Sequence, residues 1–129
     1  MCASVLLWAV LLSFSGTAAG QSLGQELSKG RDLQARGLLD RAFEHYSSLY
    51  RRYPGNEAVY SRLFDVCMET SRLDTVLQAV ETRMDMFPGD MTLLSDKAKI
   101  LFRKGERKKA LDLWHRSLEG DSTSIALYH

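Results

Sequence analysis

The segment Pro54-Gly55-Asn56 returns as Pro88-Gly89-Asp90, an offset of 34 residues. Proline cannot continue a helix, and an Asn or Asp after it offers a side-chain oxygen to the orphan N–H groups of a following one. Sliding the chain against itself by 34 and by 68 extends this register in both directions. Ser22, Asn56, Asp90 and Ser124 stand at successive steps of 34, and all four are good N-cap residues. Ser22 also has Gln25 at the position that completes a capping box. The same step relates Leu33, Cys67 and Leu101, then Phe43, Leu77 and Leu111, then Tyr46, Val80 and Trp114, and finally Tyr50, Met84 and Leu118. Each of these sets is apolar throughout. At a shift of 68, Gly37 matches Gly105 and Ala42 matches Ala110.

Within a unit the apolar positions recur at three- and four-residue steps, as in Phe43, Tyr46, Tyr50 and Tyr53, which puts them on one stripe of a helix. The pattern predicts two amphipathic helices per unit, over 22–36 and 39–53, 56–70 and 73–87, then 90–104 and 107–119. The first and third pairs turn near Gly37 and Gly105, where a left-handed residue can end one helix and release the next. No alternation of the strand type survives beside this reading.

A 34-residue helix-turn-helix unit with facing small residues, a late aromatic and a terminal proline resembles the tetratricopeptide repeat family, over residues 22–122. The family's small residue in the first helix falls on Gly30, Phe64 and Ala98, and its partner in the second helix on Ala42, Val76 and Ala110. The second unit departs at Phe64 and Val76, and again at Arg83, where a small or apolar residue is usual. The third has Ser122 in place of its proline. The resemblance implies an all-α, right-handed solenoid of antiparallel helix pairs, with units at about 22–55, 56–89 and 90–122. Residues 123–129 read as the opening of a fourth pair, its N-cap at Ser124.

Ahead of the array, residues 1–25 carry no Asp, Glu, Lys or Arg, so all 17 basic and 16 acidic side chains follow them. The apolar run from Ala3 to Leu12 is shorter than the about 20 residues a bilayer span needs, and it leads into Thr17-Ala18-Ala19-Gly20. Residues 1–20 therefore read as a secretory signal peptide cleaved after Ala19 or Gly20, although no Lys or Arg precedes the apolar run. That makes the protein exported, periplasmic or secreted, with a membrane met only in transit. Cys67 is then the remaining thiol, to be packed as a small apolar group.

The rest of the chain, about 100 residues, suffices for one modest core and excludes a multidomain enzyme. A net charge of +1 supplies no broad field for nucleic acid. Asp112, His115 and Glu119 share one helix face, but a single helix provides no further ligand, so neither metal nor cofactor is expected. No nucleophile, base and acid stand at a catalytic spacing, and no glycine-rich phosphate loop is present. The basic run RKGERKK at 103–109 is a candidate for phosphate or anionic lipid, against a hydrated turn as the plainer reading.

The family resemblance implies a non-catalytic scaffold that holds a protein or peptide on a concave face lined by the first helix of each unit. Transferred by register, the groove residues are Arg31 and Gln34, then Arg62, Asp65, Met68 and Glu69, then Lys99, Phe102 and Arg103. The basic members would meet acidic groups and Phe102 would supply an apolar anchor. The side chains with which chaperone-binding members clamp a terminal carboxylate fall here on Leu27, Arg31, Arg62, Thr92 and Asp96, so that clamp is broken. The alternative is an N-terminal docking region of a longer exported enzyme or envelope-assembly protein. The third unit lacks a polar capping helix, which calls either for further repeats or for self-association through that end.

Overall fold

The computed structural model describes the backbone of residues 22–127 and the side-chain surroundings of residues 22–120. The signal peptide expected over 1–20 lies outside the described residues. Six helices and no strand make up the described chain: α1 over 22–35, α2 Leu39–Arg52, α3 Glu57–Glu69, α4 Leu73–Met86, α5 Thr92–Arg103 and α6 Arg107–Leu127. They pair as α1–α2, α3–α4 and α5–α6, and the pairs stack in order into an all-α solenoid. Among the described residues no helix is long and apolar enough to cross a membrane.

The two kinds of connection repeat with the sequence. Between pairs, Tyr53 O accepts from Asn56 N at 3.1 Å across Pro54-Gly55, and Phe87 O accepts from Asp90 N at 3.1 Å across Pro88-Gly89. Asn56 caps α3 by accepting from Val59 N at 3.1 Å. Asp90 accepts from Thr92 N at 3.1 Å, so α5 begins two residues later than the sequence predicts. Within pairs, Leu38 N donates to Leu33 O and Gly37 N to Gln34 O, a Schellman closure. It recurs with Arg72 to Cys67 and Ser71 to Met68, then with Glu106 to Leu101 and Gly105 to Phe102. The closure needs a left-handed residue. Gly37 and Gly105 supply it at φ 74° and 89°, and Ser71 takes the same role at φ 57°.

The register also fixes the core. Ala42, Tyr46, Leu49, Val59, Val66, Cys67, Val76, Val80, Leu93 and Ile100 are buried together, and Ala98, Leu101 and Ala110 close the third pair. A Cβ on Gly30 would clash with the edge of the Tyr46 ring, so the close approach of α1 to α2 favours glycine as long as that buried ring keeps its place. The stacked pairs are also joined at the turns. Arg72 reaches back to Asp40 at 3.0 Å while its guanidinium lies 4.2 Å over the Phe43 ring, and Lys104 pairs likewise with Asp74.

One expectation about the C-terminal end is corrected. The backbone of α6 stays helical to Leu127, through Ser122 and Ser124. A fourth helix does not start at Ser124. With Ser122 where the other units have proline, nothing removes a backbone N–H or adds a ring to stop α6.

Candidate protein-binding groove

Two aromatic-anchored polar pairs join neighbouring helices, one between α3 and α5, the first helices of the second and third units, and one between α2 and α1. In one, Tyr60 is buried in α3 and its hydroxyl donates to Asp96 Oδ2 in α5 at 3.0 Å. Phe64 stands next to Tyr60, with ring centroids 6.1 Å apart. Burial, first, and then the charge and hydrogen bond of Asp96 push the Tyr60 hydroxyl far above its ordinary pKa. Burial also raises the Asp96 carboxyl; its bond from Tyr60 and the nearby Lys99 oppose this, and Asp90 and Asp65 add to it. In the other pair, Tyr46 of α2 donates to Gln34 Oε1 of α1 at 3.0 Å. Burial raises the Tyr46 hydroxyl, while Arg62 and Arg31 act against it and Asp65 with it, which places those three charges around one spot.

Two depressions lie beside α5. One, of about 240 Å³, is lined by Ser61, Phe64 and Asp65 of α3, by Thr92, Asp96 and Lys99 of α5, and by Arg83 of α4. The second, of about 410 Å³, is lined by Ser95 of α5 and by Trp114, Ser117 and Leu118 of α6. Thr92, Asp96 and Lys99 line both, so the two depressions lie on either side of one stripe of α5.

The residues expected on the concave face take different parts in the structure. Arg31, Asp65, Glu69 and Lys99 are exposed, and Gln34 is already engaged by Tyr46. Met68 packs against the main core. Phe102 remains 46% exposed, with its ring 5.7 Å from that of Trp114 and the Arg107 guanidinium 5.7 Å above it. Arg103 is held by the preceding unit, donating to Met68 O at 3.1 Å and to Ser71 Oγ at 3.0 Å. In the rest of the 103–109 run Lys104 pairs with Asp74 and Lys109 with Glu106, while Arg107 lies over the Phe102 ring and Lys108 is exposed.

Arg83, which the sequence marks as out of pattern, turns out to be buried, with 6% of its surface exposed. Its guanidinium carbon lies 4.7 Å from the ring centroids of both Tyr60 and Phe87. Periodicity locates this residue but not its surroundings, because Phe87 follows the end of α4 and Tyr60 belongs to the preceding helix. Sequence reasoning also misses a depression of about 510 Å³ on the opposite side, between α2 and α4, lined by Phe43, Ser47, Tyr50, Leu63 and Ala79. Phe43 and Tyr50 read simply as core there. Among the described residues, no three His, Cys, Asp or Glu side chains are placed to hold a metal ion.

No protein-family model matches the chain, and comparison with curated proteins finds no match. Solved structures do match. A MamA RS-1 double mutant superposes with a TM-score of 0.62 and 16% identity, over 77% of this chain and 56% of that one. A tetratricopeptide repeat protein from Parabacteroides merdae superposes with a TM-score of 0.61 and 24% identity, over 76% of this chain and 40% of that one. The chain thus spans about half the length of the structures it matches. At such identities the likeness is one of fold, and it agrees with the period, the Schellman turns and the buried small residues: the chain has the tetratricopeptide-repeat fold.

Proposed function

We propose that this chain is a non-catalytic scaffold that holds an extended or helical segment of another protein against α1, α3 and α5. The observation that carries this reading is the pair of depressions that flank Thr92, Asp96 and Lys99 of α5. Open depressions with mixed polar and apolar walls, and a partly exposed aromatic elsewhere on the same helix, Phe102, suit a segment anchored by one apolar side chain and steered by local charges. The two ends differ in sign. Arg31 and Arg62 outnumber Asp65 around the Tyr46 hydroxyl, whereas Glu57, Asp65, Asp90 and Asp96 outnumber Arg83 and Lys99 in the depression between the second and third units. The segment would bring acidic groups to the former and basic groups to the latter. Arg103 acts here by tying α5 to the α3–α4 turn.

The apolar run of residues 3–12 supports action outside the cytoplasm. The extent of the match, about half of the solved structures' length, supports a second reading in which the same groove is the docking region of a longer exported protein.

A photo-crosslinking amino acid placed at Ser95, in the groove, or at Gln78, beside the α2–α4 depression, separates the two faces. Partner captured from Ser95 and not from Gln78 is expected. Capture from Gln78 alone would move the binding surface to the opposite side.

A further inference from the structure

Arg83 is an uncommon group for a repeat interior. Its side chain is more than nine-tenths buried, and its Nη1 is shielded from solvent without a hydrogen-bond partner. No ion pair among the described residues includes it. A buried, unpaired guanidinium is costly, and the contacts with the Tyr60 and Phe87 rings hold it in place without satisfying its donors. It lines the α3–α5 groove and also the adjoining depression beside Phe87-Pro88-Gly89. Its planar donor fork matches a carboxylate.

We infer that Arg83 is the receptor for one carboxylate of the docked segment, a Glu or Asp side chain flanked by basic residues. This rests on the groove reading above and adds a recognition rule to it. The flanking preference follows from Glu57, Asp65 and Asp90, which line the same depression around the guanidinium. A segment of uniformly acidic character is repelled by that rim, and a uniformly basic one offers the part of the Arg83 guanidinium that borders the depression no acceptor. The groove therefore selects an alternating pattern in which a single acid reaches inward. An internal side chain fits better than a chain terminus because depressions open on both sides of Arg83, one beside Asp96 and Lys99 and the other beside Phe87-Pro88-Gly89.

The test uses the full chain and short fluorescent Lys/Ser peptides carrying one central Glu, the same peptides with Gln, and each with a free or amidated C-terminus. The Glu peptide should bind about tenfold or more tightly than its Gln counterpart, with amidation making no difference. Arg83→Met keeps the stem packed between the two rings and should bind both peptides equally, at the weaker level. Equal binding of Glu and Gln peptides by the unaltered protein overturns the Arg83 site while leaving the groove standing, and this comparison holds even if Arg83→Met fails to fold. A preference abolished only by amidation overturns the side-chain assignment. Absence of any peptide binding also overturns the Arg83 site, whereas the groove itself is judged separately by the Ser95 and Gln78 crosslinks.

Discussion

The Tyr60 hydroxyl in α3 donates to Asp96 Oδ2 in α5 at 3.0 Å, joining residues 36 apart across the floor of the groove. The bond crosses a unit boundary, so the groove wall and the stacking of the second pair on the third depend on the same atoms.

Asp96 gives this boundary a pH dependence. Burial raises its carboxyl above the ordinary range, so the folded state favours the protonated form. That contribution is present below the unfolded pKa of about 4 and is lost as pH rises through the folded value. Asp96→Asn keeps an acceptor for Tyr60 and removes the charge. Its melting temperature relative to the unaltered protein should climb as pH rises from about 3 to 7. A pH-independent offset in paired thermal melts would show that burial of this carboxylate does not matter.

Ala42 and Ala110 are both fully buried where paired helices meet. Enlarging either to Leu should overpack the pair and cost about 1–3 kcal/mol in denaturant unfolding. The same change at exposed Thr75 should leave stability within about 0.5 kcal/mol. Unchanged midpoints for both alanine variants would break the 34-residue register.

Cys67 is fully buried, and burial pushes its thiol up to about 11. Since the thiolate is the reactive form, alkylation near neutral pH should be slow in the folded protein and fast in denaturant. Fast native labelling, followed by mass, would contradict the packed position.

Phe102 and Arg103 are neighbours with opposite duties. Phe102→Ala should weaken partner binding about tenfold or more at nearly unchanged melting temperature, because its side chain is half exposed. Arg103→Ala should lower the melting temperature and leave affinity nearly intact, since Arg103 is bonded to Met68 O and Ser71 Oγ. Calorimetry and thermal melts on both variants read the two effects, and an exchange of these outcomes would place the anchor elsewhere.

If residues 1–20 are removed on export, protein recovered outside the cytoplasm should begin at or near Gln21. Intact mass decides this, and a species still starting at Met1 would count against cleavage.

Much of the fold is legible in the sequence because the repeat shows each requirement more than once. Pro54-Gly55 and Pro88-Gly89 mark one kind of turn, Gly37 and Gly105 the other, and Asn56 caps as its position suggests. Features that occur in one unit alone are harder to read. Arg83 breaks the pattern without revealing the two rings that hold it, and Ser71 hides a left-handed residue behind a side chain that rarely adopts one. Of the groove positions that the register proposes, Asp65 and Lys99 line the depressions beside α5, and the engagement of Gln34 by Tyr46 and of Arg103 by Ser71 depends on contacts across helices. Such contacts leave no local trace in the chain.

Ser71 holds a further consequence. A left-handed backbone disfavours a serine by about 1–2 kcal/mol, which the glycines of the other two turns avoid. Its hydroxyl, absent from those glycines, accepts the Arg103 guanidinium of the next unit at 3.0 Å. In a nearest-neighbour description of a repeat array, this lowers the intrinsic stability of the middle unit and strengthens its coupling to the third. The Ser71–Arg103 bond thus adds to the coupling of the second unit to the third, whereas the first and second units are coupled chiefly by the buried core that Ala42 and Tyr46 share with Val59 and Val80.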